Sequence, residues 1–554
     1  MASDGAATAA RPTGGDLLVA ALRSLGTDVA FGVVSVHNLP LVDAVDRDLR
    51  WVPTRGEAGA VNAADGWSRA SGRIGCAVTS TGTGAGNAAG ALVEALTAAT
   101  PLLHITGQID REHLGIGKGV IHETRDQLAM LQAISAWAAT VGADAAADLA
   151  HAIAEASSHP RGPASLEWPI DSQFASPAPG DLGRFEPPDA VETAREPDGD
   201  LDRVVELIAA ARRPLLWVGG GGLGRGPQLS ELLDRMGAAL ITSNGGRGAL
   251  AESDARVIGN FASSSDGAAL LAEADLLLSI GTHFRSNETR SYGLQLPACT
   301  VQVDVDPGAI GRAYPASAGL VGSADVVLGA LLDQLPQVTP DVGWLDRCTE
   351  VRARARSSLR TDIGPYAAIV DALNDVLGPA SPRVRDITIP NSSWGNRLLE
   401  ITDPRTNIYP RGGGIGQALG MALGASIARP DEPTLAIIGD GGLQVQLGEL
   451  ATIAQENVPI TVVVFDDGGY GVLRNMQDQH LGRRSGVDLF TPSVPLLADA
   501  HGLRCRGVAS AEQFGPAFAD AVESREPSVI HVDCEQLGPM PRPFIPPVHI
   551  PESS

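Results

Sequence analysis

Residues 439–473 read GDGGLQVQLGELATIAQENVPITVVVFDDGGYGVL. An apolar run, Leu435-Ala436-Ile437-Ile438, leads into this stretch and predicts a buried strand. The strand breaks at Gly439-Asp440-Gly441-Gly442, where glycines let main-chain N–H groups approach a ligand closely. Leu447, Leu450, Ala451 and Ala454 then fall at helical spacing and predict a helix. A second apolar strand over 460–465 ends at Asp466-Asp467-Gly468-Gly469-Tyr470-Gly471. In an open α/β sheet, ligands gather at the carboxyl ends of strands, so Asp440 and Asp467 are expected to converge. Two carboxylates beside glycine-rich backbone suit a hard cation such as Mg²⁺, which takes oxygen ligands and shares them with phosphates.

The whole chain has 554 residues, enough for three or four domains, and its 44% apolar and 19% charged composition fits a folded globular protein. The net charge of −24 is spread along the chain, which argues against nucleic acid or an anionic membrane as the main partner. Cys76, Cys299, Cys348, Cys505 and Cys534 are scattered without a CxxC pair. That argues against a zinc site or a disulfide framework and fits a reducing cytoplasm. No apolar run is long enough to span a bilayer. The first residues lack a basic start and an apolar stretch, so a loose terminus is expected rather than a signal peptide.

Helix and strand signals alternate through three segments, which predicts an α/β fold of three doubly wound parallel-sheet domains. Residues 1–14 read as a flexible terminus and 15–171 as the first domain. The second turn of glycines there, at residues 82–87, precedes an Ala-rich helix. Residues 172–200 are rich in Pro, Gly, Asp and Glu and read as a linker. A central domain follows at 201–335, then a connection at 336–366, helical in part. The third domain runs over 367–535, and a Pro-rich tail over 536–554. Glycines 219–222 follow a strand in the central domain. Alone they are compatible with a dinucleotide loop or with a close packing turn.

The 439–473 stretch resembles the diphosphate-binding motif of thiamine diphosphate (ThDP) enzymes, in which GDG is followed about two dozen residues later by an Asn-rich turn. With the three-unit order, the resemblance extends over residues 15–535. It points to the group containing acetolactate synthase, 2-oxo acid decarboxylases and benzaldehyde lyase. Its implied domain order is pyrimidine-binding, central, then diphosphate-binding. Carried over by position, Asp440, Asp467 and the Gly469 carbonyl would bind Mg²⁺, with Gly441, Gly442, Tyr470 and Gly471 lining the diphosphate. The usual Asn is Asp467 here, which keeps an oxygen ligand and adds charge.

The same resemblance assigns a catalytic role to Glu57, which would share a proton with the pyrimidine ring in a largely apolar surround. From the residues alone, Glu57 is also a plain first-turn carboxylate of a helix over 58–70. Gly413 would offer its carbonyl to the cofactor's amino group, and Ile415 would wedge between the two rings; plain core packing is the other reading of Ile415. His37 matches a proton-shuttling histidine of benzaldehyde lyase, or is a surface or capping histidine. His122 stands where acetolactate synthases place a substrate-side Gln. His104 lies in an apolar strand and reads as a hydrogen-bonded core residue. The flavin segment of acetolactate synthases corresponds to residues 281–287, where its Arg and Asp pair are replaced by His283, Arg285 and Ser286. FAD is therefore not expected.

The resemblance thus implies a cytoplasmic ThDP- and Mg²⁺-dependent carboligase. It would decarboxylate a 2-oxo acid and transfer the resulting enamine to a carbonyl acceptor. Simple decarboxylation, aldehyde lysis and a catalytically silent ThDP-fold protein are the alternatives. A homodimer or homotetramer with active sites at the dimer interface is also implied.

Overall fold

The computed structural model describes residues 11–178, 180–183, 185 and 196–550. The other residues of the expected terminus (1–14), linker (172–200) and tail (536–554) lie outside the described residues. The described chain builds three six-stranded sheets, and every pairing within them is parallel. This is the three-sheet α/β architecture expected from the sequence.

The first sheet uses β1 (Val29–Gly32), β2 (Arg50–Pro53), β3 (Gly75–Thr79), β4 (Leu102–Gln108), β5 (Trp137–Thr140) and β6 (Pro163–Pro169). Their order is β2-β1-β3-β4-β6-β5. The second uses β7 (Pro214–Val218), β8 (Ala239–Thr242), β9 (Val257–Gly259), β10 (Leu276–Ile280), β11 (Cys299–Asp304) and β12 (Ala318–Val321), ordered β12-β11-β10-β7-β8-β9. The third uses β13 (Arg383–Arg385), β14 (Asn407–Ile408), β15 (Thr434–Gly439), β16 (Ile460–Asp466), β17 (Arg504–Val508) and β18 (Ser528–Asp533), ordered β14-β13-β15-β16-β18-β17. The first and third sheets therefore share one connectivity, and each has a switch in strand order beside its first strand. Their central strands β4 and β16 are buried along almost their whole length because helices cover both faces of a parallel sheet.

The chain divides into two compact units. One holds the first sheet with residues 410–428 and 446–458; the other holds the remaining two sheets. In the first, helix Glu57–Ser71 packs closely on helix Ala418–Ala428. Gly66, Gly420 and Gly424 sit at the contact, where side chains would strike the facing main chain at Met421, Gly59 and Ala63. In the second unit the two sheets share an apolar core that includes Trp217, Phe284, Trp394 and Phe465. Trp344, Cys348, Val351 and Ala355, on the long connecting helix Trp344–Ile363, complete that core.

Two local expectations are corrected. The helix after the 439–442 turn is two helices, Asp440–Val445 and Glu449–Glu456, broken by turns at 446–448. The chain passes from one unit to the other at this break, which a continuous helix would not allow. Only Gly82 forms the turn expected over 82–87, because helix Thr83–Ala98 already begins at the next residue. Of the two readings of the 219–222 run, the close packing turn is seen at Gly219 and Gly221, which lie on the main chain of Gly281.

Candidate active site

The second unit brings Asp440 and Asp467 to the ends of adjacent strands. β15 and β16 run in register, with Gly439 opposite Phe465, so the two turns leave the sheet side by side. Asp440 is 2% exposed, and its Oδ2 has no hydrogen-bond partner. Asp467 Oδ1 is likewise without one, although an Arg474 guanidinium nitrogen is 3.7 Å away. Burial, helped by Asp467 and Asp466 nearby, pushes the Asp440 carboxyl up to about 6; the N–H groups of Asp467 and Gly441 oppose the rise. Burial also pushes Asp467 up to about 6, against the pull of Arg474. Buried carboxylate oxygens without partners are costly, and a cation is the partner that removes the cost.

The glycines around them are dictated by space. A side chain on Gly441 would meet the Tyr470 ring at 2.9 Å, one on Gly442 would strike Asp386, and one on Gly471 would strike Asp467. Gly469 has φ +146°, a conformation open essentially to glycine, and its N–H and carbonyl lie at the turn before helix Gly471–His480. Among the described residues no group of three or more His, Cys, Asp or Glu side chains forms a metal cluster. A Mg²⁺ held here would have two carboxylates and draw its other oxygens from main chain, water and a phosphorylated ligand.

The first unit holds the other sequence-selected residues. Glu57 opens helix Glu57–Ser71 and is 8% exposed. Asn87 Nδ2 donates to its Oε2 at 3.2 Å, and Gly84 stands where a side chain would be 2.6 Å from its Oε1. An amide and a glycine thus lie against its two oxygens. Gly413 has φ +89° with open space around it, and Ile415 is half-buried two residues on.

The structure brings His37 and His122 together. Their Nδ1 atoms are 3.4 Å apart, and the rings meet edge to face at 5.5 Å. His37 is buried, so desolvation first, and then His122, lowers its pKa against the opposing pull of Asp110. His122 sits at φ +67° with its main chain against Gly82, whose N–H donates to Gln127 Oε1 at 2.6 Å. His104 is a core residue as expected. It contacts Thr79 and Ser165 hydroxyls, both at 2.9 Å, and burial holds its pKa down to about 3.

Sequence reasoning missed Asn87, Glu94, Asp386 and Glu449. Glu449 Oε1 accepts the Arg55 N–H at 3.1 Å and its Oε2 the Thr452 hydroxyl at 2.7 Å. Only Glu94 had a local signal: it is the one charged residue in the helix Thr83–Ala98.

Parallel sheets with carboxylates and glycine turns at strand ends define a class of α/β enzymes that bind phosphorylated cofactors. Family comparison makes this specific. The model for the thiamine pyrophosphate enzyme N-terminal TPP binding domain matches residues 12–130, that for the central domain 201–331, and that for the C-terminal TPP binding domain 390–532. A "probable 2-ketoarginine decarboxylase" of Pseudomonas aeruginosa is 33% identical over 514 residues, 89% of each chain. A "probable acetolactate synthase large subunit" of Methanocaldococcus jannaschii is 27% identical, covering 96% of this chain and 93% of its own. The acetolactate synthase isozyme 2 large subunit of Escherichia coli K12 is 28% identical, covering 96% and 97%. The chain belongs to the thiamine pyrophosphate enzyme family, and its cofactor is thiamine diphosphate.

Proposed function

We propose that the protein is a ThDP- and Mg²⁺-dependent enzyme that decarboxylates a 2-oxo acid and joins the remaining fragment to a second carbonyl compound. The observation that carries the reading is the pair of buried oxygens without a hydrogen bond, Asp440 Oδ2 and Asp467 Oδ1, at neighbouring strand ends. Bound thiamine diphosphate supplies a carbon nucleophile and an electron sink for the charge left as CO₂ departs. Asp440, Asp467 and the Gly469 carbonyl hold the cation, while Gly441, Gly442, Tyr470 and Gly471 leave room for the diphosphate. Glu57 would exchange a proton with the aminopyrimidine, the Gly413 carbonyl would accept from its amino group, and Ile415 would pack against the bound cofactor. Asn87 keeps the Glu57 carboxylate pointed at its task.

The His37–His122 pair favours a second outcome, protonation of the fragment and release of an aldehyde. Two imidazoles this close do not both carry charge easily, so one stands ready as an acceptor and the other as a donor. The name of the 33% identical relative, a decarboxylase, agrees with this second outcome. Incubation with a panel of 2-oxo acids, with and without added aldehydes, separates the two. Acceptor-dependent carboligation products support the first reading. CO₂ release with aldehyde alone supports the second, and no CO₂ from any 2-oxo acid contradicts both.

The same reading includes assembly through the face around the histidines. Val34, Val36, Leu39, Ile116 and Ile121 are exposed aliphatics on the loops that carry His37 and His122, and a second subunit would cover them. It also places the enzyme in the cytoplasm without FAD. Five free cysteines suit a reducing compartment, and His283, Arg285 and Ser286, in place of the Arg and Asp pair of the flavin segment, support a protein without FAD. No described helix is long and apolar enough to cross a membrane.

A further inference from the structure

Glu94 is 1% exposed, and the protein surrounds it with donors. Its Oε1 accepts the Arg411 N–H at 2.5 Å, and its Oε2 accepts the Gly412 N–H at 2.6 Å. Arg69 Nη2 bridges Glu94 Oε1 at 3.2 Å and Asp65 Oδ2 at 2.7 Å. Asp65 and Arg69 lie on helix Glu57–Ser71, the helix that begins with Glu57. Asn87, which holds the Glu57 carboxylate, precedes Glu94 by seven residues on helix Thr83–Ala98. Seven residues are about two turns, or roughly 10 Å, so Asn87 and Glu94 share one face. The clamped amides lie immediately before Gly413 and three residues before Ile415.

We propose that Glu94 is a positioning residue: through one helix face it fixes the 411–416 loop at a set distance from Glu57, and so places the Gly413 carbonyl and Ile415. The inference rests on the reading of Glu57 and Gly413 as the groups that face the aminopyrimidine. A carboxylate suits the task because its two oxygens take two successive main-chain N–H groups at once. Glutamine offers one oxygen, and its NH₂ would face an N–H. The contact is equally exacting from the other side, since a side chain on Gly412 would lie 2.8 Å from Glu94 Oε2.

The test compares Glu94→Gln, Glu94→Asp and Gly412→Ala by two readouts. One is amide hydrogen–deuterium exchange of residues 411–416 in cofactor-free protein. The other is exchange of the reactive thiazolium C–H in bound ThDP. In Glu94→Gln, loop amides should exchange at least about tenfold faster, and the thiazolium proton at least about tenfold slower, as expected for a lost charged hydrogen bond. Affinity for ThDP with Mg²⁺ should stay within about threefold, because the anchoring groups lie elsewhere. Glu94→Asp should recover part of both effects. Gly412→Ala should reproduce them, and the double variant should be no worse than the poorer single. Wild-type loop exchange in Glu94→Gln overturns the proposal. So does wild-type thiazolium exchange in Gly412→Ala, the arm that decides if Glu94→Gln does not fold. Failure of wild-type protein to bind ThDP overturns the functional reading instead, and loop exchange still decides whether Glu94 holds 411–416.

Discussion

Glu94 and Asp440 are both buried, at 1% and 2% exposure, yet the protein treats them in opposite ways. Glu94 has two main-chain N–H groups and Arg69 on its oxygens. Glu57 and Glu449, in the same unit, also have protein donors. Asp440, in the other unit, keeps one oxygen without a hydrogen bond, beside a second carboxylate, Asp467, whose Oδ1 also lacks one and has an Arg474 guanidinium nitrogen 3.7 Å away. A buried carboxylate with a full set of donors holds its own chain in place. A buried pair with oxygens left over and like charge alongside is built for something the chain does not contain. The contrast underlies the proposed division of the acidic residues into those that position and those that bind.

The largest expected effect tests the satisfied side. Glu57→Gln preserves size and the Asn87 contact but removes proton exchange, so turnover and thiazolium C–H exchange should fall by about 10²–10⁴-fold. Metal-dependent ThDP affinity should persist in calorimetric titration. Equal exchange rates would reduce Glu57 to a first-turn carboxylate of its helix.

Next comes the unsatisfied side. Asp440→Ala should weaken ThDP binding by at least about 100-fold, since losing a ligand costs no less than losing its supporting shell. Protonation should act as a milder version of the same change. Both carboxyls are pushed up to about 6, so each must lose a proton to bind the cation below that pH. Affinity should be flat above about pH 7 and fall by about tenfold or more per unit below pH 6. For the cofactor-free protein the sign reverses. Folded values raised above the ordinary carboxylate range mean that protonation favours the fold. The stabilisation is complete below about pH 4 and is lost as pH rises through about 6. Calorimetry and thermal melts across pH 4–8 check both halves.

The smallest effect makes the contrast a matter of sign. In cofactor-free protein at pH 7, Asp440→Asn should raise stability by about 1–2 kcal/mol, because a buried charge beside a second carboxylate is removed. Glu94→Gln should lower it by about 1–3 kcal/mol, because one of the two buried main-chain N–H groups loses its acceptor and faces an NH₂ instead. Paired denaturant melts showing the same sign for both would break the distinction.

Asp440 and Asp467 were easier to find in the sequence than Glu94. Asp440 and Asp467 stand 27 residues apart on consecutive sheet strands, each followed by glycine, so periodicity and turn signals place them together. The all-parallel sheets were legible for the same reason, as apolar runs alternating with helical spacing. Glu94 meets Arg411 and Gly412 across more than 300 residues, and no local pattern encodes such a contact. His37 and His122 were each visible, but their 3.4 Å approach depends on a φ of +67° at His122 that its sequence does not advertise. The break at 446–448 was hidden because Leu447, Leu450 and Ala454 keep helical spacing across it while the chain changes units.

One titration bears on the two oxygens without a hydrogen bond most directly. Cofactor-free wild-type protein is titrated with ThDP by calorimetry, once with Mg²⁺ and once with excess EDTA. With metal, saturable binding should appear; with EDTA, Asp440 and Asp467 should repel the diphosphate and leave no measurable heat of binding. ThDP affinity that is the same with and without the cation, or absent in both, would contradict the assignment of these two carboxylates as the metal site.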